Sequence, residues 1–337
     1  MVGVRLRALK PNLPLPPPDC STPYLCILFS FFLLFCVRFW GKGSQNGYHE
    51  DSSGNYVVTG IDGLQNLFAD TTINAASANI TLESPVTLDE NWKGENIAAF
   101  TGELNGNGNT ITMKGDRKQG LFNEIGDGGT VENVHLQIDG TISGSGAVGG
   151  IAGTLRRGTI TGCSVELNGG SITATGNAYA YAGGIVGANA GTIEHCDVTS
   201  SGSITAAASS TNTDDLSITE AYAGGIAGRN EDAIESSCSV KLNDGSIQAT
   251  ATGTGDDRTH AYAGGIAGYD FSKGVKCGPA TGTGTIQATV TGTSSSNGSV
   301  TLTLNGDNSV TVEPEYAYGA GGNTYAVGNA CAGTKTA

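Results

Sequence analysis

From about residue 147 onward, apolar positions recur in a fixed order against a background of Gly, Ala, Ser and Thr. Four segments align: AVGGIAG from Ala147, YAGGIVG from Tyr181, and YAGGIAG from Tyr222 and again from Tyr262. Their first paired glycines, Gly149, Gly183, Gly224 and Gly264, are spaced by 34, 41 and 40 residues. Each block is followed by a second apolar position (Ile160, Ile193, Ile234, Val275) and then a cysteine (Cys163, Cys196, Cys238, Cys277). A Gly-Ser/Thr-Ile block closes the unit at Ile172, Ile204, Ile247 and Ile286, with Ala174, Ala206, Ala249 and Ala288 two residues on. A period of this length marks a stacked array. Three short β-prone stretches separated by Gly predict a parallel β-solenoid with three strands per turn. Gly supplies positive φ at the corners, and Ile or Val points inward onto its copy one rung away. The Gly density and the lack of a 3.6-residue apolar period exclude helix.

The period varies because residues are inserted at one point of the unit, at 206–220 (AAASSTNTDDLSITE) and 250–260 (TATGTGDDRTH). Such insertions project as loops or hairpins from a single face. Both ends of the stack need covers, since terminal rungs expose unpaired strand edges. Ile61, Leu64, Leu67 and Phe68 have helical spacing and predict a short amphipathic helix ahead of a strand at Ile80–Leu82. Residues 299–319 alternate apolar and polar about Asn305-Gly306-Asp307, a hairpin signal and a C-terminal cover.

Upstream, GELNGNGNTIT (102–112) resembles the opening strand of GLUG-repeat proteins, and GLFNEIGDGGTVENVHLQI (120–138) is similar to that family's Gly-Leu-Phe unit. The Gly-Gly-Ile-x-Gly…Gly-Thr-Ile-x-x-Cys units at 149–163 and 183–196 resemble its commonest repeat. The resemblance covers roughly residues 98–292 and implies a right-handed parallel β-helix used as a stalk or display surface in surface proteins, including adhesins. Some such proteins are IgA-directed peptidases, but that activity resides in a separate domain. The sequence departs from the pattern before Cys238, by one inserted residue, and at 273–277, where the block shrinks.

Residues 24–37 (YLCILFSFFLLFCV) form an unbroken apolar run after a basic, Pro-bearing leader. The run suits a signal peptide or, counted back to Ser21, an uncleaved signal anchor. The organisation expected is therefore 1–43 signal or anchor, 44–97 N-terminal cap, 98–292 solenoid and 293–337 C-terminal cap. Sequons at Asn79 and Asn297 suit a chain that leaves the cytoplasm.

Composition agrees with a thin solenoid. There are 53 Gly against 9 Pro, and only 7% aromatic and 14% charged residues. The chain carries a net charge of −14, although its first 43 residues are basic. Such a body repels nucleic acid, so a nucleic-acid partner is not expected.

Candidate chemistry is sparse. The aligned cysteines suggest a metal or disulfide site, but parallel register is poor disulfide geometry and Cys is a commonly buried residue, so an inward ladder is the expectation. His49, His135, His195 and His260 are scattered, without a zinc motif or an evident carboxylate partner. His195 and Cys196 fall on opposite faces of a strand. Asp214-Asp215 and Asp256-Asp257 read as solvated loop acids. Tyr181, Tyr222 and Tyr262 share one repeat position and form a stacked column, the best candidate for a small-molecule surface. Thr159-Ile160-Thr161, Ser171-Ile172-Thr173 and Ser203-Ile204-Thr205 resemble ice-binding rows, which Gln248 and Gln287 interrupt.

No catalytic residue, cofactor or metal site is assigned. The expectation is an exported or cell-surface structural or adhesive solenoid that presents loops to a glycan or protein. The alternatives are a polysaccharide lyase or hydrolase, which needs clustered carboxylates on one face, and an ice-binding solenoid.

Overall fold

The computed structural model describes residues 46–211, 218–253, 258–272, 278–291, 297–306, 315–318, 324–328 and 331–334. The described chain is a parallel β-solenoid built from three sheets. One turn runs through Ala152–Thr161 in the first sheet and Ser164–Leu167 and Ser171–Gly176 in the second, then Tyr179–Gly183 in the third. A turn thus has four strand segments in three sheets, because the second sheet is entered twice. In two later rungs those two segments fuse into single strands, Ser239–Thr252 and Thr281–Thr291.

Equivalent residues stack in register. Ile142, Ile172, Ile204, Ile247 and Ile286 form one buried column, and Ala174, Ala206, Ala249 and Ala288 form a second. Leu136, Val165, Val198 and Val240 form a third. β-Branched side chains repeating at one position suit this geometry, since each packs against its own copy about 4.8 Å away.

Parallel stacking starts upstream of residue 98, where Tyr56–Val58 pairs with Asn79–Leu82 and that strand with Glu103–Asn105. An antiparallel strand, Tyr48–Glu50, covers the first edge. The helix Gly63–Ala69 packs Leu64, Leu67 and Phe68 into the core, whereas Ile61 precedes it and stays 61% exposed.

At the other end, Gly298–Gly306 runs antiparallel to Thr281–Thr291. The hairpin expected to turn at Asn305-Gly306 has its second arm largely at 307–314, outside the described residues. The strand Glu315–Tyr318 of that arm pairs instead with Thr324–Gly328.

The paired glycines do not serve as left-handed corners: none of Gly149, Gly183, Gly224 or Gly264 has positive φ. They permit close approach instead, since a Cβ on Gly183 would lie 1.9 Å from the Val186 carbonyl oxygen. Other glycines hold left-handed corners, among them Gly140, Gly146 and Gly169, and one further left-handed corner lies one residue before the cysteine position. There Asn133, Gly162 and His195 have φ of 53°, 61° and 52°.

An interior polar column replaces the apolar one in the later rungs. Leu155, Asn189, Asn230 and Asp270 are register partners, and the last three are buried. Asn189 donates to Asn230 Oδ1 (2.7 Å) and Asn230 donates to Asp270 Oδ1 (2.8 Å). Each amide therefore satisfies its neighbour one rung away, which a buried polar group requires.

Candidate functional site: an aromatic cleft

The third sheet carries Ala147, Tyr181, Tyr222, Tyr262 and Ala326 as register partners. Their strand neighbours Ala180, Ala182, Ala221, Ala223, Ala261 and Ala263 point into the core, so alternation aims the tyrosines outward. Yet Tyr181, Tyr222 and Tyr262 are only 6%, 2% and 8% exposed and form a second apolar cluster, separate from the core.

The cause is an inward-folded corner. The outer face of the first sheet, with Thr154, Ala188, Arg229 and Tyr269 in register, folds against the outer face of the third. The last glycine of the Gly-Gly-Ile-x-Gly block makes this possible. A Cβ would lie 2.3 Å from Val148 N at Gly187, and 2.6 Å from Ala182 N at Gly228.

The cleft between these faces is filled by rings at its C-terminal end. Tyr181 and Tyr222 stack at 5.2 Å and 14°, and Tyr269 packs on both Tyr222 (5.2 Å) and Tyr262 (5.1 Å). Phe271 closes on Tyr269 at 4.5 Å. The Arg229 guanidinium lies 4.6 Å from the Phe271 ring and 5.6 Å from that of Tyr181, a cation–π arrangement.

Two carboxylates reach this group from opposite sides. The Tyr181 hydroxyl donates to Glu220 Oε2 (2.6 Å), and Arg229 Nη2 pairs with Glu231 Oε1 (2.7 Å). Burial raises the pKa of the Tyr181 and Tyr222 phenols and the Glu220 carboxylate raises it further, so both stay neutral. His260 stacks beside Tyr262. Burial lowers its pKa against the opposing pull of Glu220, and Arg258 lowers it further.

Toward the N-terminal rungs the rings give way to small residues and the cleft opens. Gln119, Asn123, Ser145, Gly146, Ala147, Thr154 and Ala188 line about 400 Å³, with Tyr179, Tyr181 and Arg229 as its end wall. Tyr179 is 53% exposed and stacks on Tyr181 at 5.4 Å.

The tyrosines were visible in the sequence; Arg229, Tyr269, Phe271 and Glu220 were not picked out. Reading one position past each Gly-Gly-Ile-x-Gly block (Thr154, Ala188, Arg229, Tyr269) would have exposed the opposing wall.

The other candidates lie elsewhere. Cys163, Cys196 and Cys238 are buried thiols in one column, and they donate to backbone carbonyls of Val131, Ile160 and Ile193 (3.6 Å each). Contact with the thiols of Cys163 and Cys238, together with burial, pushes the Cys196 thiol far up. Cys277, Val275, Asp214, Asp215, Asp256 and Asp257 lie outside the described residues. Among the described residues no group of three or more potential ligands is placed to hold a metal ion.

His195 is exposed and Cys196 buried, but the pair sits at the left-handed corner between Val186–Glu194 and Asp197–Ser200 rather than on a strand, so the corner and not strand alternation separates them. For His135 the sequence reading needs correction, because register brings a carboxylate that sequence distance hides. Its Nδ1 lies 2.5 Å from Ser164 Oγ and its Nε2 lies 3.6 Å from Glu166 Oε2. These residues belong to an outward polar ladder that continues to Asp197 and Ser239. The nearby Gly108 and Gly162 amides already donate to the carbonyls of Asn133 and Glu194, leaving no pair aimed at an oxyanion.

The fold and cleft define a parallel β-solenoid with a ligand-sized aromatic groove on its outer surface. No family model matches the chain. It is 34% identical over 152 residues to halomucin of Haloquadratum walsbyi (strain DSM 16790 / HBSQ001), a stretch covering 40% of this chain and 2% of that protein. The chain thus spans a small fraction of the relative it matches. A crystal structure from Bacteroides ovatus, described provisionally as an immunoglobulin A1 protease, aligns over 85% of this chain and 86% of its own at 16% identity, with a TM-score of 0.39. Among the described residues no helix is long and apolar enough to cross a membrane. The apolar run at 24–37 lies outside them.

Proposed function

We propose that this chain is an exported or cell-surface structural solenoid that presents one edge to a glycan or protein partner. The observation that carries this reading is the placement of the insertions. Both follow a second-sheet strand (Ser203–Ser209, Ser239–Thr252) and precede a third-sheet strand (Ile218–Gly224, Arg258–Gly264). The described strands that flank the two insertions therefore meet at one corner, beside the Glu220–His260 column and the aromatic cleft. Insertions gathered on one edge of a regular stack are where solenoids meet partners.

Supporting features are the apolar run at 24–37, the exposed sequon asparagines Asn79 and Asn297, and the likeness to part of halomucin. The GLUG-like motifs at 102–112 and 120–138 support a surface-protein repeat. The alternative of a polysaccharide-active enzyme draws on Glu220 and Glu231, which flank one cleft. Both are engaged, by Tyr181 and Arg229, whereas a general acid must hold a proton free for the scissile oxygen.

The test has two arms. Expression of the full chain with a C-terminal tag in a secretion-competent host should place it in the medium or on the outer membrane face; retention in the cytoplasm contradicts export. Beads coated with the chain should adhere to glycan- or protein-coated surfaces. Replacing 210–217 and 254–257 with short Gly-Ser turns should reduce that adhesion, and unchanged adhesion would remove the loops from the account.

A further inference from the structure

We propose that the open end of the aromatic cleft is a subsite for an uncharged oligosaccharide. The inference rests on the partner-binding reading above and names the chemistry of one contact.

The first ground is shape. The space walled by Tyr179, Tyr181 and Arg229 continues past Gln119, Asn123 and Ser145 into a second trough of about 550 Å³ beside Ser143, Lys118 and Thr175. Ligand clefts for small molecules fall in this size range, roughly 300–1,000 Å³. The trough crosses adjacent rungs, so it suits a chain rather than a single compact molecule.

The second ground is lining chemistry. The chain carries 31 Asp and Glu residues, yet no carboxylate lines either trough. The lining is mostly amides and hydroxyls (Gln119, Asn123, Asn96, Ser143, Ser145, Thr154 and Thr175), with one ammonium, Lys118, which is exposed so that solvent and salt screen its charge. The Arg229 charge is neutralised by Glu231. Hydroxyl-rich ligands match such a surface, and a formal charge on the ligand gains little from it.

The third ground is the exposed ring. Tyr179 has 53% of its surface open, although its stacked neighbour Tyr181 is buried. An aromatic face held rigid by a second ring receives the C–H face of a pyranose without losing rotamer freedom.

Independently, two buried polar atoms here lack a hydrogen-bond partner, Gln119 Oε1 and Arg229 Nε. Buried polar groups are nearly always satisfied, so two orphans on one cleft point to a ligand that supplies partners.

The test titrates the full chain by calorimetry with cello-, malto-, manno- and chitohexaose, and with an oligogalacturonate as the charged comparison. At least one uncharged chain should bind with Kd between about 10 μM and 1 mM. Raising salt from about 0.05 to 0.5 M should change that Kd less than about twofold. Tyr179→Ala should weaken binding at least about tenfold and Gln119→Leu about threefold or more, with melting temperatures unchanged because Tyr179 is exposed and Leu conserves volume.

The proposal is overturned by no binding of any uncharged hexasaccharide at about 5 mM, by binding of the oligogalacturonate alone, or by affinity unmoved in both variants. Adhesion by the intact chain without binding of any uncharged hexasaccharide would remove the subsite and leave the adhesive function standing. Sugar binding lost in Tyr179→Ala, with no adhesion of the intact chain to any coated surface, would do the reverse.

Discussion

The two halves of the solenoid place their aromatic side chains on opposite sides of the same wall. In the N-terminal rungs the rings are inside: Phe68, Trp92, Phe100 and Phe122 form one cluster, with Phe100 and Phe122 stacked at 4.4 Å. In the later rungs the register partners of Phe122 are Ala152, Val186, Ala227 and Ala267, and the interior is filled by aliphatic side chains, Cys and Asn rather than rings. There the rings sit outside, in the cleft. The difference follows from the third sheet, which begins only at Ala147–Gly149. Before it starts, bulky side chains and a short helix fill the open flank. After it starts, its backbone takes that volume, and the inward-folded corner it makes creates an external surface that needs covering. Interior packing and partner surface are thus two consequences of one change in cross-section.

That contrast is breakable by mutation. The largest effect is expected at Phe122, which is fully buried and stacked: Phe122→Ala should cost about 3–5 kcal/mol in urea unfolding. Tyr222→Ala removes a ring of similar burial from the cleft, where water can fill the gap, and should cost less, about 2–3 kcal/mol. Equal losses would mean that the cleft packs as a second core rather than as a surface. Asn230→Ala interrupts the amide column and leaves Asn189 and Asp270 short of partners, at about 1–2 kcal/mol. A neutral or stabilising result would show that the column is solvated.

The smallest effect is a pH dependence. The folded pKa of His260 lies below its ordinary value of 6.5, so the unfolded chain binds the proton more readily. Stability contributed by the neutral ring is present above pH 6.5 and declines as pH falls from there through the lower folded value. His260→Gln should flatten that part of the curve, measured as melting temperature against pH.

The sequence carried the repeat well because a parallel stack in register makes each interior column a literal repetition: Ile172, Ile204, Ile247 and Ile286 could be read without coordinates. It also carried the tyrosine column. What it hid were relations between residues that repeat differently. His135 and Glu166 are 31 positions apart, and only register makes them neighbours. Arg229 and Tyr269 occupy a position whose other members are Thr154 and Ala188, so no pattern flags it. The sequence also marked glycine as the corner residue, as at Gly140, Gly162 and Gly169, but left the paired glycines without a role, because composition does not say whether a glycine is chosen for positive φ or for the missing Cβ.

The central claim is that residues far apart in sequence stack one rung apart on a continuous wall. Ser143 and Gln287 lie four rungs apart through Thr173, Thr205 and Gln248. Spin labels carried by genetically encoded side chains at these two positions test it by pulsed electron–electron resonance. Four inter-strand steps predict a narrow distribution corresponding to backbone positions about 19 Å apart. A broad distribution, or a mean beyond about 30 Å, would contradict the stacked solenoid and the cleft that depends on it.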